Sequence, residues 1–429
     1  MTGRRAVGTV LSTALAVLCT TAAVPVRALP AAGSPGGYAF AADARPIEGA
    51  ASPAGAGRLE PGATYRSGLP EGGTAHYRLR LDGTSHAYVA VTAVPAPGSA
   101  VAASDGIRVS VRDGEGGVCS FDTASIGAAR SPRPVTAWGS REVSPAKPRC
   151  REAGTYDVTV ERTGGQGSAR GAWDLELAVF TEPGPEQAGA TRAPEGWDSA
   201  SPAPPDGEPR RGRGGAGFTG AALRGPGVWR DEIRPGQTLF YAVPVDWGQR
   251  LYATADLDGS GDGRGYVPGA LRLALHNPVR GPVAETGAGY DGSPVTAGLP
   301  PLPPVAYANR HAAADKVSGM RFAGAYYLVA HLAARVADDF GGGPFALTLR
   351  VGVGGAAESG PAYTGESAPR GVFEVPEGQR VAGPGGEGAE DDPVMTAVAV
   401  AGIGTGSLLL AGLGVWTLRG RRSPGAGTN

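Results

Sequence analysis

Only three cysteines, three methionines, five histidines and two lysines (Lys147 and Lys316) occur among the 429 residues. So little cysteine excludes a disulfide-dense scaffold, and no Cys-x-x-Cys is present for redox exchange. His76, His86, His276, His311 and His331 never fall at metal-ligand spacing on one helix or strand face, and no His-Glu-x-x-His run occurs. No serine has glycine two residues before and two after it, so the hydrolase elbow is missing. No phosphate-cradling glycine loop follows a strand and opens a helix. The net charge of −1 gives no global pull towards nucleic acid or anionic lipid. The expectation is a protein that is not an enzyme and carries no cofactor.

Glycine (72) and proline (38) are abundant, together about a quarter of the chain, near the level of low-complexity sequence. Arginine supplies nearly all the positive charge, an actinobacterial-type composition. Arg4 and Arg5 precede an apolar stretch, Ala6 to Val24, with small residues placed for cleavage after Ala23 or Ala28. Residues 1–28 therefore read as a signal peptide. From Val394 to Leu418 no residue is charged. At 1.5 Å per residue that is about 37 Å of helix, enough to cross a hydrocarbon core of ~30 Å. Acidic residues (Glu387, Glu390, Asp391, Asp392) precede it, and Arg419, Arg421 and Arg422 follow. Basic residues stay on the cytoplasmic side, which predicts one spanning helix in the cytoplasmic membrane over 394–418, a cytoplasmic tail over 419–429 and everything before outside. No LPxTG-like pentapeptide precedes the helix, so the helix itself is the expected anchor. Gly402 and Gly406 have the spacing that lets two such helices approach, a route to a dimer.

Between these ends the chain is duplicated. Leu69 to Asp82 aligns without gaps on Ile233 to Asp246 at an offset of 164 residues, and Ile107 to Val111 falls on Leu271 to Leu275 at the same offset. Ala153 to Val160 matches Ala323 to Ala330, and Trp173 to Leu177 matches Phe345 to Leu349, at offsets of 170 and 172. Four blocks in one order mark a repeat. Each block alternates: Tyr77, Leu79 and Leu81 point one way, His76, Arg78 and Arg80 the other. This is the period of half-buried strands, with His76 and His276 on the solvent side. Short strands with one apolar face must close against a second sheet. The fold class is thus all-β, two β-sandwiches in tandem, with little helix expected outside the two ends. The sandwiches are expected over 58–181 and 225–353. A disordered arm (29–57), a Pro/Gly-rich linker (182–224) and a stalk (354–393) fill the rest.

Both copies resemble the bacterial pre-peptidase C-terminal domain. The resemblance rests on a Gly-Thr-x-x-Tyr-like strand (Gly73 to Leu81; Gln237 to Val245) and an alternating strand (Ile107 to Gly114; Leu271 to Pro278). An Ala-Gly-Thr-Tyr strand (Ala153 to Val160; Ala323 to Ala330) and an aromatic-led final strand (Trp173 to Val179; Phe345 to Val351) complete it. It implies a jelly-roll-like sandwich in each copy. The family's acidic residues in the second strand are replaced by Arg108, Ser110, Arg272 and Ala274, so no carboxylate ligand set carries over.

After signal removal Cys119 and Cys150 remain, and in an oxidising exterior they imply one structural disulfide. Their counterparts in the second copy are Val283 and Met320. If these pack together, the cysteines are neighbours. Asp256, Asp258, Ser260 and Asp262 resemble the first half of a calcium loop, with oxygens at alternate positions. Val267 stands where the closing carboxylate belongs and no helix precedes, so an acidic turn is the plainer reading. Arg210, Arg211 and Arg213 form a basic cluster without an aromatic platform, so no nucleic-acid partner is expected. The functional expectation is a membrane-anchored surface protein that binds a partner protein or an envelope glycan. An accessory subunit of a membrane complex and a hydrolase with an unrecognised site are the alternatives.

Overall fold

The computed structural model describes residues 37–144, 149–165, 170–187, 189–200, 203–261 and 263–380. The expected signal peptide, spanning helix, cytoplasmic tail and Gly402/Gly406 contact lie outside these residues. Among the described residues no helix is long and apolar enough to cross a membrane.

The first copy holds ten strands: β1 (Arg45–Pro46), β2 (Gly57–Leu59), β3 (Thr64–Leu69), β4 (Thr74–Leu81), β5 (His86–Val94), β6 (Gly106–Arg112), β7 (Val118–Ser125), β8 (Val135–Arg141), β9 (Gly154–Thr163) and β10 (Trp173–Glu182). The second holds β11 (Arg210–Arg211), β12 (Ala222–Leu223), β13 (Gly227–Ile233), β14 (Thr238–Val245), β15 (Arg250–Leu257), β16 (Val267–His276), β17 (Pro282–Tyr290), β18 (Val295–Gly298), β19 (Gly324–Leu332) and β20 (Phe345–Gly354). Two short helices, α1 (Asp315–Ser318) and α2 (Val336–Phe340), sit in loops of the second copy. Each copy is two five-stranded sheets. The orders β1-β3-β10-β5-β8 and β2-β4-β9-β6-β7 recur as β11-β13-β20-β15-β18 and β12-β14-β19-β16-β17, so the duplication is complete strand for strand. The inner faces alternate as expected: Tyr77, Leu79, Leu81, Val109, Val158, Leu175 and Leu177 build one core, and Tyr241, Val243, Leu273, Leu328, Leu347 and Leu349 the other.

The disulfide joins Cys119 on β7 to Cys150, with Cα atoms 5.8 Å apart. Val283 and Met320 are both buried in the second core. A Cβ built on Gly319, the neighbour of Met320, would stand 2.9 Å from Val283 Cγ2. Where the first copy uses a covalent bond, the second uses packing.

Three expectations are corrected. Residues 38–57 of the arm are ordered, because β1 and β2 pair parallel to β3 and β4 and the Tyr38 hydroxyl donates to Glu176 Oε1 at 2.8 Å. The linker holds β11 and β12, the matching first strands of the second copy. The stalk begins as a strap. Thr181 N–H donates to the Ala368 carbonyl at 2.8 Å, Thr364 N–H to that of Gly184 at 2.9 Å, and Phe373 and Val375 are 3% and 4% exposed. Strands of two or three residues show no period, and a strap ordered by tertiary contacts has none to show.

The two sandwiches pack on each other. The outer face of β5 and β10 carries Tyr88, Ala90, Ala178 and Phe180. These meet Val279 and Phe322 of the second copy and Phe373 of the strap in a third apolar cluster. Three ion pairs cross the same boundary, each a glutamate of the first copy with an arginine of the second: Glu176–Arg280 at 2.6 Å, Glu182–Arg310 at 2.7 Å and Glu142–Arg321 at 2.7 Å. Their side chains are buried, except that Glu142 is 12% exposed. Pairs of this kind add little net stability, but breaking one leaves a buried charge at a cost of about 3–5 kcal/mol. They therefore fix orientation. Glu182 also accepts from the hydroxyls of Tyr88 (2.8 Å) and Tyr363 of the strap (2.9 Å). Burial pushes its carboxyl up, but Arg310 overrides this and holds it below its ordinary value. The Gly281 backbone closes on the Trp138 ring, where a Cβ would stand only 2.8 Å from ring carbons.

Candidate functional site

Beside this contact the sandwiches separate and leave a cleft of about 550 Å³. One wall is β7 and β8 with the loop between them, contributing Phe121, Asp122, Thr123, Arg133 and Trp138. The other is β14, β16, β17 and β19, contributing Phe240, Arg272, His276, Glu285 and His331, with Asp315 of α1 also lining it. The β7 strand is an edge strand, and its side chains also protect the neighbouring edge. Asp122 Oδ2 accepts from Trp138 N–H at 3.2 Å, and Ser120 Oγ from Ser140 N–H at 2.5 Å. Phe121 is 57% exposed at the cleft, its ring covered on one side by the Arg108 guanidinium at 4.2 Å.

The charges in the cleft are unevenly matched. Arg133 donates four hydrogen bonds to the carbonyls of Ser125, Ile126 and Pro134 at 2.7–3.3 Å. Among the described residues no carboxylate pairs with it. Burial, and then the neighbouring Arg272, push its pKa down to about 9. Arg272 pairs with Glu285, while its buried Nε has no partner. Its guanidinium lies beside Gly127, whose φ of +85° suits glycine. Asp122 accepts Thr123 N–H at 2.8 Å as well as Trp138 N–H. Burial, with a smaller contribution from Asp315, raises its carboxyl to about 6.

The histidines correct the sequence reading. His76 is half-buried, but His276 is 8% exposed rather than solvent-facing, because this outer face is covered. Phe218 stands edge-on to it and its Nδ1 lies 3.1 Å from the Arg280 carbonyl. His331, 2% exposed, places Nδ1 2.9 Å from Thr238 Oγ1 and Nε2 2.9 Å from Ser131 Oγ. Burial, then Arg133 and Arg272, push it down to about 3. Burial likewise takes His276 to about 4. The Ser131–His331 contact is the pairing a hydrolase would use, but a threonine occupies the position of the orienting carboxylate. Ser131 Oγ also accepts Ala334 N–H at 2.9 Å. The pair ties the first sandwich to the second.

The calcium-like cluster lies on another face, the outer side of the β15 sheet. Asp256 is engaged by Arg350 Nε at 2.9 Å and Thr296 Oγ1 at 2.8 Å, and Asp258 by Arg230 at 2.9 Å. Ser260 N–H donates to the Gly292 carbonyl at 3.0 Å, and Asp262 lies outside the described residues. The carboxylates face separate arginines rather than a common centre. Among the described residues no group of three metal-ligating side chains occurs. Sequence reasoning missed the cleft. Its one signal was the replacement of the resembled family's carboxylates by arginines: Arg272 lines the cleft, and Arg108 covers the Phe121 ring at its edge.

No family model matches the chain, and no curated protein matches it. Among solved structures it is similar to the CUB1-EGF-CUB2 domain of human MASP-1/3, at 9% identity over 67% of this chain and 99% of that one, with a TM-score of 0.16. It is also similar to the N-terminal CBM22-1-CBM22-2 tandem domain of Paenibacillus barcinonensis Xyn10C, at 12% identity over 66% and 83%, with a TM-score of 0.18.

Proposed function

We propose that this chain is a membrane-anchored binding protein of the bacterial exterior, holding its ligand in the cleft between two locked sandwiches. The observation that carries the reading is the cleft itself: both sandwiches build it, and three buried Arg–Glu pairs fix their orientation. Ligand sites favour such concave places at domain boundaries, with a few convergent polar groups. A preset cleft binds without the entropy cost of assembling one. The apolar run 394–418 with its basic flank supports the anchor, and the disulfide suits an oxidising exterior. The resemblance of both copies to the pre-peptidase C-terminal domain supports an exported protein. The chain acts by binding, to a surface protein or an envelope glycan, rather than by catalysis.

Affinity capture tests this with the full tagged chain from detergent-solubilised membranes and cell wall, beside a Thr123→Trp variant that fills the cleft from an exposed wall position. A partner or glycan captured by the native chain and lost with Thr123→Trp is the expected result. Equal capture by both sinks the cleft as the binding site. A protein retained equally, and only when residues 394–418 are present, favours the accessory-subunit reading instead.

A further inference from the structure

We propose that the cleft takes the oxyanion of an acidic envelope polymer, a phosphate diester or a uronate carboxylate, between Arg133 and Arg272. This rests on the binding reading above. Two guanidinium groups line one cleft. The Glu285 carboxylate is committed to Arg272. Asp122 is held by two backbone N–H groups, and Asp315 is exposed. Arg133 therefore has its charge solvated by carbonyls alone, with one N–H of the guanidinium left over. Arg272 keeps an unpartnered buried Nε. The two imidazoles in the same wall are neutral at physiological pH and add no charge to the cleft. The single Glu285 carboxylate serves Arg272, so among the described residues Arg133 beside it remains a positive charge without a carboxylate partner, which is unfavourable at low dielectric. An oxyanion removes that penalty, and the planar guanidinium fork matches both carboxylate and phosphate. Exposed Phe121 at the same cleft offers an apolar ring to the carbon skeleton of a sugar or polyol.

The test is calorimetric titration of the full chain in detergent with three oligomers of similar length: glycerol phosphate, galacturonate and an uncharged glucan. At least one anionic oligomer binds, weakening as salt rises, and the glucan does not. Arg272→Gln weakens the anionic probe at least tenfold, whereas Arg230→Gln, at an exposed pair on the far sheet, leaves it unchanged. Arg133→Lys, which keeps charge but loses the fork, weakens it less than Arg272→Gln. An unchanged melting temperature for each variant separates lost contact from lost fold. Binding of only the phosphate or only the uronate probe supports the proposal and identifies the source. Failure of both anionic probes, or binding indifferent to Arg272→Gln, overturns it. Glucan binding that is abolished by Thr123→Trp would leave the cleft reading standing while the oxyanion fails. If no probe binds and nothing is captured through the cleft, both readings fall together.

Discussion

Most side chains at the boundary between the sandwiches are uncharged or paired, and pH disturbs both. His276 and His331 are neutral in the fold, with values depressed from 6.5 to about 4 and about 3 by burial and the nearby arginines. Their contribution is fully present above pH 6.5 and is lost as pH falls through those folded values. At pH 4 the penalty is on the order of 3 kcal/mol for each. Asp122 runs the opposite way, since burial raises it from 3.8 to about 6. Its contribution is present below 3.8 and is lost as pH rises through about 6. The Asp122 term offsets part of the loss, and two deeply buried imidazoles outweigh one half-buried carboxyl. Glu182, held below its ordinary value, adds to the loss in acid. Stability measured by urea denaturation is therefore expected to fall between pH 7 and pH 4, and His331→Gln to flatten that slope. A profile as steep in His331→Gln as in the native chain would remove His331 from the account. None of these partners was visible in the sequence. The Glu176–Arg280 and Glu182–Arg310 pairs join residues more than a hundred positions apart, and one chain carries no record of which arginine meets which glutamate.

Among the strands, legibility followed exposure. The four repeated blocks landed on β4/β14, β6/β16, β9/β19 and β10/β20, because in most of them one face is apolar and the other polar. The β5 strand, Ala87-Tyr-Val-Ala-Val-Thr-Ala93, lacks that alternation since the second sandwich covers its outer side. Its counterpart β15 keeps a strict alternation, with Tyr252, Thr254 and Asp256 on the open face. The difference between the two copies is thus the signature of the interface, readable once the strands are aligned. The cysteine pair was legible because the repeat placed two apolar residues at its counterparts. Cys119 and Cys150 are 31 residues apart, and closing a loop of that size stabilises by about 3–4 kcal/mol in the chain-entropy model. Reduction is expected to lower the melting temperature of the native chain, and a Cys119→Val/Cys150→Met double variant, which copies the second sandwich, to recover part of the loss. Were reduction to leave the melting temperature unmoved, the bond would be redundant with the packing around it.

At the scale of the whole molecule, the strap decides whether two sandwiches behave as one body. Domains joined by a linker move relative to each other unless their contact is large and apolar. Here the chain leaves β20, returns to the end of the first sandwich at residues 181–186, and passes through the boundary with Phe373 stacked on Phe322 at 5.0 Å. It then reaches back to the second sandwich through Arg380 and Asp246 at 3.3 Å. The segment read as a stalk therefore joins the ion pairs and the apolar boundary in coupling the sandwiches, and the apolar run expected to enter the membrane begins 14 residues after Arg380. Removing a buried phenyl ring costs about 3–5 kcal/mol, and here the loss falls on the boundary rather than on either core. Calorimetry of the full chain is expected to give one cooperative transition, and Phe373→Ala to split it or shift the first sandwich to lower temperature. Leu223→Ala, at an exposed position, serves as the control that changes neither. A single unshifted transition in Phe373→Ala would mean that the three ion pairs hold the sandwiches without the strap, and a cleft fixed by those pairs alone would keep its ligand in that variant.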